Sequence, residues 1–406
     1  MPDPRFLQIH FLAPYAAALL NRDDAGLAKR LPYGGSLRTR VSSQCLKRHW
    51  RLADDPHDMR SIDGFEKSSR SRDLVDDRIF GTLAKDGVDD EVLDALRPWF
   101  NFAIYGGGDT QDKKPAKRGV KVNTDDKTKR QTLLFGEPEL RWLTEEARNL
   151  AEQACGDADR AFALGKEWVE GGGKEDAAAK KDFKANIKTL RDGASLPAGL
   201  IGALFGRMVT SDPSANIDAP VHVAHAFTVH AEEAESDYFI AADDLAGEGE
   251  TGADTIQETE LTSGLFYGFV VADLPGLLDN LGGDRALAGE VLHNLVYLIA
   301  EVSPGAKLGS TAPYSRASFL LLEAGDRQPR SLAEAFRTPC APETGRAVAT
   351  LCQHLDALDA TYATGEERRV MSLGNDEVPG AKRGTLAELA EFARNLPGRL
   401  SARDAA

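Results

Sequence analysis

NRDDAGLAKRLPYGGSLRTRVSSQCLKRHWR, residues 21–51, carries most of what this 406-residue chain says about itself. It opens as a polar loop holding Arg22, Asp23, Asp24 and the pair Gly34-Gly35. Leu37–Val41 then reads as a strand, which places Arg38 and Arg40 two residues apart on one side. Ser42 follows as the cap of a helix running to about Leu52. Gly34-Gly35 would let the backbone approach a ligand closely. Ser42, Ser43 and Gln44 would put hydroxyls and open amides at the helix start, followed a turn later by Lys47, Arg48 and Arg51. Donors in that order form a surface that tracks phosphates.

Working outward, residues 5–12 (RFLQIHFL) read as a strand at the middle of a sheet. Residues 54–100 read as short helices with polar breaks, and 106–131, opened by Gly106-Gly107-Gly108, as a charged loop. Helices are expected over about 139–168 and 174–192, on either side of Gly171-Gly172-Gly173. From residue 200 the pattern suggests strands at Leu200–Val209, Val221–His230, Gly264–Ala272 and Ala317–Glu323. An amphipathic helix is expected over Arg285–Glu301, and helices over about 331–337, 343–362 and 385–396 close the chain. The class that results is α+β, a sheet with helices on one face and a large helical insertion.

Composition removes several function classes. Hydrophobic residues make up 42%, charged residues 28%, and mean hydropathy is −0.35, as in a globular protein. No run approaches the roughly 18 apolar residues of a membrane span, and the start MPDPRFLQIHFLAPY lacks a basic region and a cleavage site, so a cytoplasmic location is expected. Cys45, Cys155, Cys340 and Cys352 make no CxxC and encode neither a disulfide framework nor a zinc knuckle. Neither GxxxxGK[ST] nor GxGxxG is present, which weighs against nucleotide-dependent enzymes.

Net charge is −15, but its distribution is uneven. Residues 1–51 hold nine Lys/Arg against three acids, a balance of +6, and residues 113–130 hold eight against two, again +6. Residues 231–260 carry eleven acids and no base. Two basic patches suited to phosphate and one acidic segment suited to a basic neighbour follow from that pattern.

Other chemistries find thinner support. Cys45 and His49 share a helix face at i, i+4, but no third group orients them as a catalytic pair. His222, His225 and His230 invite a metal reading, yet strand alternation sets His225 with Val221, Val223, Phe227 and Val229 and turns the other two away, so no metal or cofactor is expected. Asp23 or Asp24 could hold Mg²⁺ for phosphodiester cleavage, although pairing with arginine suits them better. A metabolic enzyme with a helical insertion has no recognisable site.

LNRDD (Leu20–Asp24) followed by GG-x₃-R-x-R-V-S-S-Q-x-L-K-R (Gly34–Arg48) resembles the N-terminal signature of the CRISPR-associated CasC/Cse4 family, backbone subunits of the type I-E Cascade complex. FGRMVTS (205–211), IDAPVHVAHAFTVH (217–230), DYFIAADDL (237–245), LTSGLFYGF (261–269), DNLGG (279–283) and PGAK (304–307) continue it in the family's order. The resemblance implies a modified RRM or ferredoxin-like palm over 1–53 and 200–340, with a thumb-like loop at about 209–262. It further implies helical fingers over 54–199 and a C-terminal helical segment over 341–406. It implies a non-catalytic subunit that polymerises head to tail along a CRISPR guide RNA, with other Cascade subunits, and presents the guide to target DNA. Arg22, Arg40, Ser42, Gln44, Lys47 and Arg51 would then hold guide phosphates, while Met208 and Phe239 would flank a kink where one base is flipped out. Arg38 and Ser43 join that RNA-binding set from the local pattern. The alternative from another class is a metal-dependent RNase on the same backbone, using Asp23 or Asp24.

Overall fold

The computed structural model describes residues 3–63, 65, 67–106, 114–119, 123–170, 198–208, 216–240 and 256–401. Its strands in chain order are β1 (Phe6–Ala18), β2 (Arg30–Tyr33), β3 (Ser36–Val41), β4 (Ser68–Ser71), β5 (Leu133–Gly136), β6 (Val221–Val223), β7 (Ala226–Thr228), β8 (Glu233–Ile240), β9 (Ile256–Asp273), β10 (Phe319–Gly325), β11 (Glu367–Ser372) and β12 (Ala381–Arg383). Two compact units divide the chain, one of residues 1–63, 221–278 and 284–406, the other of residues 64–220 and 279–283. Among the described residues no helix is long and apolar enough to cross a membrane.

The first unit is built on a ten-stranded mixed sheet in the order β12-β11-β10-β1-β9-β7-β3-β2, with β6 and β8 also paired to β9. β1 is central, antiparallel to both β9 and β10, as the apolar run at the N-terminus leads one to expect. Every residue from Phe6 to Ala13 and from Phe319 to Ala324 is buried, so the sheet is covered on both faces and not on one. Leu12, Tyr267, Leu321 and Val370 pack on one side with Val348, Leu351 and Leu355 of the helix Thr344–Tyr362. Leu7, Ile9 and Phe11, of opposite parity, are equally buried, and the helix Arg285–Glu301 packs beside β1 and the helix Leu386–Arg394. Phe11 is the reason for Gly268 on β9, where an added Cβ would come within 2.0 Å of the Phe11 ring.

A charged seam crosses this core. The fully buried Glu323 accepts from His10 Nε2 at 3.1 Å, from Arg330 at 2.9 and 3.0 Å, and from Arg368 Nε at 2.7 Å, while Arg368 also clamps Asp359. His10 Nδ1 lies 2.9 Å from the Tyr267 hydroxyl, which accepts the Leu332 amide. Each buried charge is thereby paired, the condition on which such a seam is tolerated.

Local signals and tertiary pairing part company in three places. Leu200–Val209, expected as a strand, contains instead the helix Gly199–Phe205, since a short apolar run has no decisive period. The last 65 residues, expected as helices only, also supply β11 and β12, the former disguised by Glu367, Arg368 and Arg369. Val221–His230 is no single strand: β6 and β7 each pair with β9 across a break at Ala224-His225. His225 is therefore exposed and His230 buried, the reverse of simple alternation.

The second unit is mostly helical. Asp90–Tyr105, Glu137–Ala154 and Ala158–Glu170 enclose a core that includes Leu93, Leu96, Phe100, Leu143 and Ala147, next to the β4-β5 ribbon. Buried Arg207 pairs with buried Glu139 at 2.6 Å. The helix expected over 174–192, with Gly171-Gly172-Gly173 before it, lies outside the described residues, as do Gly107 and Gly108.

Candidate nucleic-acid interface

The Ser42-capped helix forms as its sequence dictates. Ser42 Oγ accepts the Cys45 amide at 3.3 Å, and the helix Ser43–Arg51 buries Leu46 and Trp50 while Arg48, His49 and Arg51 occupy its last turn, where cations oppose the helix dipole. With Leu46 and Trp50 inward, Gln44, Lys47, Arg48 and Arg51 form the other stripe, Gln44 and Arg48 being exposed.

Asn21 assembles the rest of the surface. Its Oδ1 accepts the Ser42 amide at 2.9 Å and its carbonyl accepts Lys29 N–H at 2.9 Å, while the Lys29 carbonyl accepts Arg40 N–H at 2.7 Å. Arg22, exposed, bridges back to Ala28. Arg22, Lys29, Arg40 and the helix start thus belong to one continuous hydrogen-bonded framework. Arg40 lies opposite Phe227 of β7 and reaches the ring of His225, Nη1 to Nδ1 at 3.1 Å. The same Nδ1 accepts the Ser43 amide at 3.3 Å. Burial foremost, then the charges of Arg40 and Lys29, hold the His225 pKa below its ordinary value, which keeps the ring neutral and able to accept.

Two expected donors, and one further base of the same stretch, are used otherwise. Arg38 is fully buried: its guanidinium donates to the carbonyls of Thr228 at 3.0 Å, Phe336 at 2.9 Å and Arg337 at 3.3 Å, and so offers nothing to a phosphate. Ser42 is buried by its capping role. Arg30, from the same basic stretch, is held by Glu232 at 2.5 Å and by Glu260, so these two acids serve the chain itself rather than a neighbour. Gly34, at φ +60°, is required by its own chain: a Cβ there would lie 1.6 Å from the Arg337 carbonyl oxygen, whereas Gly35 faces open space. β2 and the turn at these glycines form a hairpin where the sequence pattern suggests only a loop.

Five bases of the second island are paired within the helical unit. Lys114 pairs with Glu170 at 3.1 Å, Arg118 with Asp159 at 3.2 Å, Lys127 with Asp73 at 3.2 Å, Lys129 with Asp126 at 3.6 Å, and buried Arg130 with Asp76 at 2.6 Å. On the N-terminal surface Arg22, Gln44 and Arg48 are exposed.

Residues 7–395 match the model of the CT1975-like protein. The chain belongs to the CT1975-like family. Its fold is similar to a chain of a "CRISPR RNA-guided surveillance complex, pre-nicking", with a TM-score of 0.75 at 24% identity, over 96% of this chain and 100% of that one. A chain of a "CRISPR RNA-guided surveillance complex" is similar with a TM-score of 0.63 at 21% identity, again over 96% and 100%. No curated protein matches at a significant level.

In this CT1975-like chain the remaining candidates separate clearly. Met208 is 67% exposed, which removes core packing as the explanation for it. Phe239 lies on β8 opposite Gln257, and its side chain is outside what the structure describes. Asp23 does not pair with arginine: its Oδ1 accepts the amides of Ala25 at 2.9 Å and Leu27 at 3.0 Å, closing its own loop. Cys45 and His49 do approach, Sγ to Nδ1 at 3.7 Å, but burial pushes the thiol up to about 11 and His49 is taken by the backbone of Cys45 and Gly305. The thiol therefore stays protonated. His222 sits exposed on β6, His225 faces Arg40, and buried His230 accepts the Leu265 amide, so the three gather at no single point. Sequence pattern does not reveal Asn21 and His225 as members of the surface. Only the NRDD motif hints at the first, and nothing local at the second.

Proposed function

We infer that this CT1975-like chain is a guide-RNA-binding backbone subunit of a Cascade-type surveillance complex, of the type I-E kind that its signature resembles. The observation that carries this is the basic surface built on Asn21, in which Arg22, Gln44 and Arg48 are exposed and Arg40, Ser43, Lys47 and Arg51 lie beside them. Family membership and the likeness to surveillance-complex chains support it. On this reading the large sheet is an RRM-like palm, the helical unit its fingers, and the β8-β9 ribbon part of a thumb. Copies follow one another head to tail along the guide in the cytoplasm, beside the other subunits of the complex. Sequence is read by pairing of guide with target DNA, while the protein holds phosphates and Met208 and Phe239 separate bases.

The subunit does not cut nucleic acid on this reading, and Asp23 has a local use instead, its Oδ1 accepting the amides of Ala25 and Leu27 that close its own loop. The deciding experiment is purification with and without a co-expressed CRISPR array. A filament with bound RNA of guide length, intact after incubation with Mg²⁺ or Mn²⁺, is expected. An RNA-free monomer from both preparations would refute the assignment, and regular cuts abolished by Asp23→Ala or Asp24→Ala would replace it with the RNase.

A further inference from the structure

Asp55 and His57 lie in the loop that follows the helix Ser43–Arg51, and Glu301 is the last residue of the helix Arg285–Glu301. One ligand atom from each falls within 4.8 Å of the others. We propose that these three residues form a zinc site in the sheet-bearing unit.

What separates this trio from an ordinary acidic cluster is the imidazole. His57 Nδ1 is buried and has no hydrogen-bond partner, although the carboxylate Oδ1 of Asp55 stands 3.5 Å from it. A buried ring nitrogen left without a bond is costly, and a cation between it and the two carboxylates would satisfy it. The ring is also held in place: it stacks on Tyr297 at 3.6 Å and 3°, with His293 tilted against both. His293, Tyr297 and Glu301 follow at i, i+4 and i+8 on one helix face, so the wall that orients the imidazole also delivers the second carboxylate. Asp55 is fixed in turn, its Oδ1 accepting the His57 amide at 2.8 Å.

Zinc bonds of about 2.0–2.2 Å in a tetrahedron set neighbouring donors about 3.4 Å apart, close to the separation of Nδ1 and Oδ1 seen here. One nitrogen and two carboxylate oxygens suit Zn²⁺, whereas Mg²⁺ prefers oxygen alone and keeps its waters. Two carboxylates and a neutral ring balance the ion's charge, and water fills the fourth position. The present competitor is Arg316, which meets Glu301 at 3.3 Å from a side chain 78% exposed. Such a solvent-exposed pair yields readily to a metal. The bound ion would pin the loop to the end of the helix shortly before Asp63, where the chain leaves this unit.

The test uses the full chain stripped with chelator and titrated by calorimetry with ZnCl₂ alone and with MgCl₂ alone. One equivalent of Zn²⁺ should bind in preference to Mg²⁺, and His57→Gln and Glu301→Gln should each remove that equivalent or weaken it at least tenfold. Arg316→Ala removes the competing cation and should tighten binding, which keeps the proposal testable if a ligand variant misfolds. No Zn²⁺ uptake by the wild type, the same stoichiometry and affinity in His57→Gln, or no change in Arg316→Ala would overturn it.

Discussion

His225 Nδ1 accepts from the Arg40 guanidinium at 3.1 Å and from the Ser43 amide at 3.3 Å, so one neutral imidazole ties a strand arginine to the start of a helix. Burial and the nearby cations keep its folded pKa below 6.5, and its contribution to stability is accordingly present above 6.5 and lost as pH falls through the lower folded value. Imidazole NMR of the RNA-free protein should give a midpoint below 6.5 that rises in Arg40→Ala. A midpoint indifferent to Arg40 would mean that the contact is not formed in solution.

Arg38 and Arg40 stand two residues apart and should respond in opposite ways. Arg40→Glu with Lys47→Glu should weaken RNA binding and flatten the salt dependence by roughly 0.7 for each phosphate no longer held, with the fold kept. Arg38→Ala should take its donor from the four carbonyls of Tyr33, Thr228, Phe336 and Arg337 and cost on the order of 3 kcal/mol in urea unfolding, while the phosphates stay held as before. Equal effects of both changes on the salt slope would contradict the burial of Arg38.

Gly34 and Gly35 both have positive φ, +60° and +79°, but only the first is crowded. Gly35→Ala should cost about 1–2 kcal/mol from backbone strain alone. Gly34→Ala adds a clash with the Arg337 backbone and should cost clearly more. Matched denaturation curves for the two variants would rule out the close approach.

Met208→Ala should leave thermal stability unchanged, as expected of a side chain 67% exposed, yet reduce base unstacking along a bound guide. Base-stacking contacts are worth about 1–3 kcal/mol each while phosphates dominate attachment, so affinity should fall little in Met208→Ala or Phe239→Ala. Fluorescent base analogues placed along the guide supply the readout. Periodic unstacking that survives both substitutions would move the wedge elsewhere.

Burial alone would raise the Glu323 carboxyl, but hydrogen bonds from His10 and Arg330 outweigh it and hold the group well below the usual range. Its contribution is thus present above the unfolded value near 4.5 and lost as pH drops toward the folded one. Glu323→Gln at pH 7 should cost about 1.5–3 kcal/mol, because the charge-assisted hydrogen bonds from Arg330 and Arg368 are weakened while Asp359 and Glu366 still balance the two guanidiniums. A loss below 1 kcal/mol by chemical denaturation would show the seam to be solvated.

By itself the sequence determined whatever rests on neighbours along the chain. The Ser42 cap, the helix Arg285–Glu301 and the apolar strand at residues 5–12 were all legible, because caps and hydrophobic period act within a few residues. Tertiary structure alone decided which charges are spent. Arg38 and Arg40 look alike in the chain, yet carbonyls from Thr228, Phe336 and Arg337, about 190 to 300 residues away, bury one and leave the other on the surface. Lys114, Arg118, Lys127 and Arg130 read as part of a patch until Glu170, Asp159, Asp73 and Asp76 close on them. His225 faces outward only because β6 and β7 break between them while both pair with β9. Charge count and period are local quantities, whereas the partner that neutralises or buries a side chain arrives from anywhere in the chain, and only folding brings it there.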